Sequence, residues 1–280
     1  MWEPLVIGKF GDKYHKQVNM AWLWARIKAR TTRLGTFIGG FQALADEFYS
    51  KLEDLGVEFK MKTRIGKIQS KKGGGLELFT DGNRAADSVD ACLVTSSPGQ
   101  LAGMVKELPE DYLKGLLSLN QMGAVVLLVS LKHQLSTEGY YWFNLPKSAG
   151  FPFLALVEHT NYIPAENFGG DHIVYMGDYL EPDHDYFKLS KDELLERFLP
   201  GMVRINPDFR KEWVKKTWLF RTNYAQPVPL RMHSSKIPSI RTPMKGLYFA
   251  SMSQVYPWDR GTNFAVEIGR KAAGMIQADF

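Results

Sequence analysis

The sequence predicts a mixed α/β fold in which one discontinuous α/β unit is interrupted by a largely antiparallel sheet with helices. Three observations predict it. Leu247 to Ala250 read as a short buried strand, followed by a turn ending in Arg260-Gly261-Thr262-Asn263 and a helix over Asn263 to Met275, with apolar positions at Phe264, Val266, Ile268, Ala272, Ala273 and Met275. Near the other end, Gly39-Gly40 opens an amphipathic helix that leads into the alternating segment Val57-Glu58-Phe59-Lys60-Met61. Between these blocks, most of residues 99–245 alternates like strands.

Taken in order, the opening contains an aromatic, basic helix expected over Val18 to Arg33, with Trp22, Trp24, Arg26, Lys28, Arg30 and Arg33. Such a helix packs its apolar stripe inward and leaves its charges in water; contact with a membrane surface or an acidic ligand is the alternative. Phe41 to Leu55 places Phe41, Leu44, Ala45, Phe48, Leu52 and Leu55 on one helical face, which predicts a helix buried on that face. Gly56 supplies the terminating glycine, and Val57 to Met61 is expected as a strand. Strands over Ile65 to Gln69 and Leu76 to Thr80 flank Gly73-Gly74-Gly75, which reads as a hairpin turn rather than a phosphate cradle. Asp81-Gly82 signals a further turn. The apolar run Ala91 to Thr95, ending at Ser96-Ser97-Pro98, fits a buried parallel strand and makes Cys92, the single cysteine, a core thiol compatible with a reducing compartment.

Within residues 99–245, strands are expected over Gly123 to Lys132, Tyr140 to Phe143, Phe153 to Glu158, His172 to Asp178 and Trp213 to Phe220. Ser190-Lys191-Asp192-Glu193 is a capping-box pattern that starts a helix reaching Val203.

Several function classes are disfavoured. The 35 basic and 30 acidic residues give a net charge of +5 without a clustered basic face, so nucleic acid is not an expected partner. Met1-Trp2-Glu3-Pro4 does not open like a signal peptide, and the longest apolar run is far below the roughly 20 residues that span a bilayer. No G-x-S-x-G elbow and no H-x-x-x-H pair occurs. Asp183-His184-Asp185 beside Glu181-Pro182 reads as a solvated loop rather than a metal site.

Three blocks in order carry a resemblance: Phe37 to Asp46 running on to Leu55-Gly56-Val57-Glu58, Thr63-Arg64-Ile65-Gly66-Lys67-Ile68, and Gly246 to Ala273. Together they resemble the flavin amine oxidase, protoporphyrinogen oxidase and phytoene desaturase superfamily. The resemblance implies an incomplete FAD-binding Rossmann-like domain (37–98 and 246–280) and a substrate-binding domain (1–36 and 99–245). It also implies FAD as cofactor and an oxidoreductase that passes hydride from a small organic substrate to flavin. It assigns Ile65, Ser253, Trp258, Gly261, Thr262 and Asn263 to the cofactor, and Phe41, Gln42, Tyr256, Arg221 and Tyr224 to the substrate cavity. No catalytic acid or base is implied. The chain departs from the family pattern twice. It has no G-x-G-x-x-G turn, and Ser251-Met252-Ser253 stands where relatives carry a carboxylate for the ribityl chain. It therefore resembles the later portion of such an enzyme, one that needs a separate or missing N-terminal FAD-binding polypeptide. The alternative is a non-catalytic binding subunit that has lost flavin. A cytoplasmic location is expected, with peripheral membrane contact less favoured.

Overall fold

A computed structural model describes residues 2–29, 33, 35–81 and 85–280. Among these, the elements run α1 (Trp2–Tyr14), α2 (Met20–Lys28), α3 (Gly40–Asp54), β1 (Ile65–Ser70), β2 (Leu76–Thr80), β3 (Ala85–Val89), β4 (Cys92–Val94), α4 (Pro98–Met104) and α5 (Glu110–Leu117). Then follow β5 (Gln121–Leu131), β6 (Trp142–Asn144), β7 (Ala155–Glu158), β8 (His172–Leu180), α6 (Lys191–Ile205), β9 (Val214–Pro227), β10 (Leu247–Phe249) and α7 (Thr262–Asp279). The chain divides into two compact units: Met1–Val18 with Asn120–Leu230, and Asn19–Leu119 with Arg231–Phe280.

The first unit is built on a five-stranded antiparallel sheet in the order β6-β7-β8-β5-β9. Strand alternation sends Val125, Leu127, Val129 and Leu131 of β5 to one face, with Val174 and Met176 of β8. There they meet Leu194, Leu195, Phe198 and Met202 of α6 in one continuous core. Gly201 of α6 must be glycine for this approach, because a Cβ would lie 2.8 Å from the Phe153 ring. The predicted capping box is present. Ser190 Oγ accepts from the Glu193 amide at 3.2 Å, and Glu193 Oε2 accepts from the Ser190 amide at 2.8 Å. These bonds hold the Glu193 carboxyl below its usual range. Ser190→Ala is expected to lower stability by about 1 kcal/mol in urea unfolding, the usual loss for an N-cap.

α1 is absent from the sequence expectations. Pro4, Gly8 and Gly11 disguise its pattern, and Gly11 breaks it with a φ of 72°, yet Phe10 and Tyr14 are buried.

The second unit holds a three-stranded antiparallel meander, β1-β2-β3, and a two-stranded parallel pair, β4 with β10. The meander's first turn is the expected glycine hairpin: Lys71 donates its amide to the Gly75 carbonyl at 3.1 Å, and all three glycines have positive φ. β3 was not expected; the Gly82 signal beside it lies outside the described residues. The parallel pair aligns Cys92 with Leu247 and Val94 with Phe249. Its core includes Leu101 and Val105 around α4 and Leu116 of α5. Cys92 is half-buried in this setting, and burial pushes its thiol pKa up, as expected of a core thiol.

Three expectations are corrected. The helix expected from Val18 to Arg33 is shorter, because Asn19 caps it by accepting from the Trp22 amide at 3.0 Å, and Ala29 closes it; Arg30 lies outside the described residues. Val57 to Met61 forms no strand, since no neighbouring strand offers it a ladder. Finally, α3 forms as expected and ends as expected, with Val57 N–H on the Leu52 carbonyl at 2.9 Å and Gly56 N–H on that of Glu53 at 2.8 Å. Its apolar face, however, is not buried: none of its residues is.

Candidate functional site

The second unit brings most of the expected cofactor residues together at one end of the β4–β10 pair. In parallel sheets, ligands gather outside the carboxyl ends of the strands, where helix N-termini also point. Both strands deliver serines there: Ser96 after β4 and Ser251 after β10. Ser96 Oγ is buried with no hydrogen-bond partner among the described residues. Beyond β10 the chain makes a short turn fixed by Gln254, whose Oε1 accepts from the Ser251 amide at 2.7 Å and whose Nε2 donates to the Phe249 carbonyl at 2.9 Å. Ser253 is buried in that turn. The segment then passes Tyr256, Trp258 and Asp259 before α7 begins.

α7 begins at Thr262, one residue before the expected Asn263, and runs past the expected Met275 to Asp279. Gly261 is its N-cap in an extended conformation, and no side chain caps the helix. Its first amides therefore keep their donors and the positive end of the helix dipole free of a side-chain acceptor. A Cβ on Gly261 would sit 2.8 Å from Asn263 Oδ1, so glycine keeps this entrance open. Thr262 and Asn263 are exposed.

Aromatic rings frame the same turn. Trp258 stacks on Phe264, centroids 6.0 Å apart and 11° between planes, and meets Trp24 of α2 at 6.2 Å. Arg26 of α2 pairs with Asp259 at 2.8 Å. The aromatic basic helix is thus held by its own contacts to the turn, with Trp22 and Ala25 buried. Tyr256 packs on His233, centroids 5.1 Å apart. Burial pushes the His233 pKa down, against a hydrogen bond to the Ser253 backbone, so the ring is neutral at pH 7. Sequence reading gave His233 no role, and six dispersed histidines carried no signal that would have singled it out.

The remaining expected residues are distributed. Ile65 lies at the start of β1, packed against the core that contains Leu247 and Phe249. Phe41 and Gln42 are exposed on α3, where Gln42 Nε2 donates to Asp46 Oδ1 at 2.7 Å. Arg221 and Tyr224 belong to β9 of the first unit. The Arg221 guanidinium donates to the carbonyls of Phe187 and Leu189, which ties it to the chain before α6.

The first unit carries a second, partly covered sheet face, where Lys9 of α1 lies over the Tyr179 ring at 5.8 Å and His159 meets the edge of Tyr175 at 5.9 Å. Opposite the α6 core, one row crosses all five strands in register: Trp142, Val157, Tyr175, Leu128 and Trp218. Phe220 stands two residues along β9 from Trp218, on the same face. The rings of Trp142, Trp218 and Phe220 are exposed, while partial burial raises the Tyr175 phenol above its ordinary pKa. The result is a largely aromatic row with Lys216 two residues along β9 from Trp218. Strand alternation in the sequence cannot choose between two apolar faces, so this row was not legible before the structure.

The residues present fit one part of a flavin. The uncapped α7 amides suit the electron-rich pyrimidine edge of the ring, and the turn beside them supplies flat aromatic walls. A pyrophosphate cradle is another matter: the chain has no G-x-G-x-x-G, and its Gly-Gly-Gly run is a hairpin.

No curated protein sequence matches the chain. Among solved structures, it is similar to a protein from Exiguobacterium sp. 255-15 with the provisional name protoporphyrinogen oxidase, at 17% identity and a TM-score of 0.70, covering 99% of this chain and 62% of that one. It is also similar to an oxidoreductase from Methanosarcina mazei (19% identity, TM-score 0.56, 76% of this chain and 49% of that one). A reduced UDP-galactopyranose mutase gives 15% identity, a TM-score of 0.55, and coverage of 71% and 43%. The chain thus spans about three fifths of the first relative and less than half of the other two. These likenesses show the fold: a mixed α/β chain that matches part of each of these structures. Residues 7–276 match the flavin containing amine oxidoreductase family, and with that match running through both units, the chain belongs to this family.

Proposed function

We infer that this chain is the later portion of an FAD-dependent oxidoreductase that takes hydride from a small, flat and largely apolar organic molecule, and that an N-terminal FAD-binding segment must complete it. The observation that supports the reading is the β4–β10 pair followed by α7, whose N-terminus has no side-chain cap.

FAD, when bound, supplies the hydride acceptor. The chain's own residues do the rest. The amides at Gly261, Thr262 and Asn263 would hold the ring end of the cofactor and favour negative charge there. Trp258 and Tyr256 would shield that end from water. Ser253 would offer its hydroxyl or amide where relatives have a carboxylate, and the Ile65 backbone would serve the adenosine half. In the first unit, taken by itself, the exposed rings of Trp142, Trp218 and Phe220 offer an apolar and aromatic surface with Tyr224 farther along the same strand as the last two, while Arg221 positions β9.

The test is anaerobic mixing of the flavin-loaded, completed protein with conjugated and aromatic hydride donors. Bleaching of the flavin band by at least one of them is expected. A completed protein that stays colourless, taking up no flavin while it still binds a donor, would favour the binding-subunit alternative, which Ser251-Met252-Ser253 and the absent glycine-rich turn support.

A further inference from the structure

An amphipathic helix such as α2 ordinarily leaves its charges in water. Arg26 does something else. Its guanidinium carbon lies 5.9 Å from the centre of the Trp22 ring, one helical turn earlier, and Trp22 is itself buried. An i, i+4 pair of this kind sets the direction of a long side chain before any distant partner is met. From there Nη1 donates to Asp259 Oδ2 at 2.8 Å, a residue 233 positions away in sequence.

Asp259 lies in the turn between β10 and α7, two residues before the N-cap Gly261. Its side chain is only 13% exposed, and Arg260 Nη1 stands 3.6 Å from its other oxygen. A carboxylate in this place works against anything negative at the α7 entrance, because it sets a poorly screened charge of the wrong sign beside helix amides that favour an anion. Arg26 offsets that charge and, as the closer of the two guanidinium groups, fixes where the carboxylate points.

A second fastening runs beside the first. Trp24 of the same helix meets Trp258 at 6.2 Å, and Trp258 stacks on Phe264 in the first turn of α7. Lys28 Nζ lies 4.6 Å from the centre of the Trp24 ring. Thus α2 touches the turn at two consecutive residues, with one contact aromatic and the other ionic.

We propose that Arg26 is a positioning residue for the α7 entrance: through Asp259 it fixes the turn that carries Trp258, and it neutralises the carboxylate of that turn. Arg26 acts on the entrance through Asp259 alone and touches neither cofactor nor substrate. Where it concerns flavin, the inference rests on the proposed function; the fastening of the turn stands on contacts within the second unit.

Arg26→Met keeps the aliphatic stem and removes the charge. In the chain alone, amide exchange at residues 258–264 should rise by about tenfold without a change in β5 or α6, as local opening requires, and tryptophan emission should shift to the red. Arg26→Lys keeps the charge and should hold exchange within about threefold of the parent. With FAD and the completing N-terminal polypeptide, Arg26→Met should give a more negative flavin midpoint potential, because the bare carboxylate opposes the charge gained on reduction. Arg26→Met combined with Asp259→Asn should return the potential to the parent value while exchange stays fast; a role in packing alone would move the potential alike in both variants.

The proposal is overturned if exchange at residues 258–264 is unchanged in Arg26→Met, if it rises equally throughout the second unit, or if the potential shifts equally in the single and double variants. If Arg26→Met does not fold, Arg26→Gln is read in the same way. The parent decides the flavin reading separately. A completed parent that never takes up flavin sinks that reading, and the exchange result still judges the fastening.

Discussion

Replacing Glu158 with alanine is expected to destabilise the protein by about 3–5 kcal/mol, as two buried amides lose their acceptor at roughly 1–3 kcal/mol each. Glu158 is fully buried at the end of β7. Its carboxylate accepts from the Leu135 amide at 2.6 Å, the Ser136 amide at 2.7 Å and Asn161 Nδ2 at 3.0 Å. Burial pushes its pKa up and these bonds oppose that rise. The Leu135 carbonyl is held in turn by Asn206 Nδ2 at 2.9 Å, which joins the β5–β6 connection to the end of α6. Glu158→Gln keeps the volume but turns an NH₂ toward an amide donor, so it should recover less than half of the loss. Urea unfolding, with amide exchange followed at Leu135 and Ser136, reads both variants. A loss below about 1 kcal/mol for the alanine variant would show that water replaces the carboxylate.

The second large effect is pH-dependent. The Asp178 side chain is only 8% exposed in β8, and its pKa is pushed up to about 6, by burial first, against the attraction of Lys147 at 3.3 Å. Oδ1 is buried without a hydrogen-bond partner among the described residues. A folded pKa above the unfolded one means the native state binds more protons between about pH 4 and pH 6. The contribution of Asp178 is therefore fully present below about pH 4 and is lost as pH rises through about 6. Two pKa units correspond to about 3 kcal/mol. Asp178→Asn mimics the protonated form, so it should match the parent near pH 4 and exceed its stability at pH 7 by up to about 3 kcal/mol. An unchanged difference between the two proteins across that range would remove Asp178 as its source.

How much of this was readable in advance follows from which interactions are local. The α6 capping box, the glycine hairpin and the run into β5 are set by neighbours in sequence, and all three appear where the residues placed them. Periodicity showed that α3 is amphipathic, but it cannot say that a covering surface is present, and among the described residues none buries this face. Val57 to Met61 fails as a strand for a related reason, because a ladder needs a second strand and the sequence shows only one side. Arg221 was read as facing a substrate; nothing local foretold the two carbonyls, 34 and 32 residues away, that hold it. His233, Glu158 and the aromatic row depend on contacts between distant segments and left no pattern in the sequence.

The most direct measurement is the visible spectrum of the purified chain after gel filtration with FAD, run alone and with the upstream-encoded polypeptide. The account predicts that flavin bands travel with protein only when the two polypeptides are together. Flavin retained by the chain alone would contradict the need for a completing segment. A folded, complexed chain that never carries flavin would contradict the flavoenzyme reading itself.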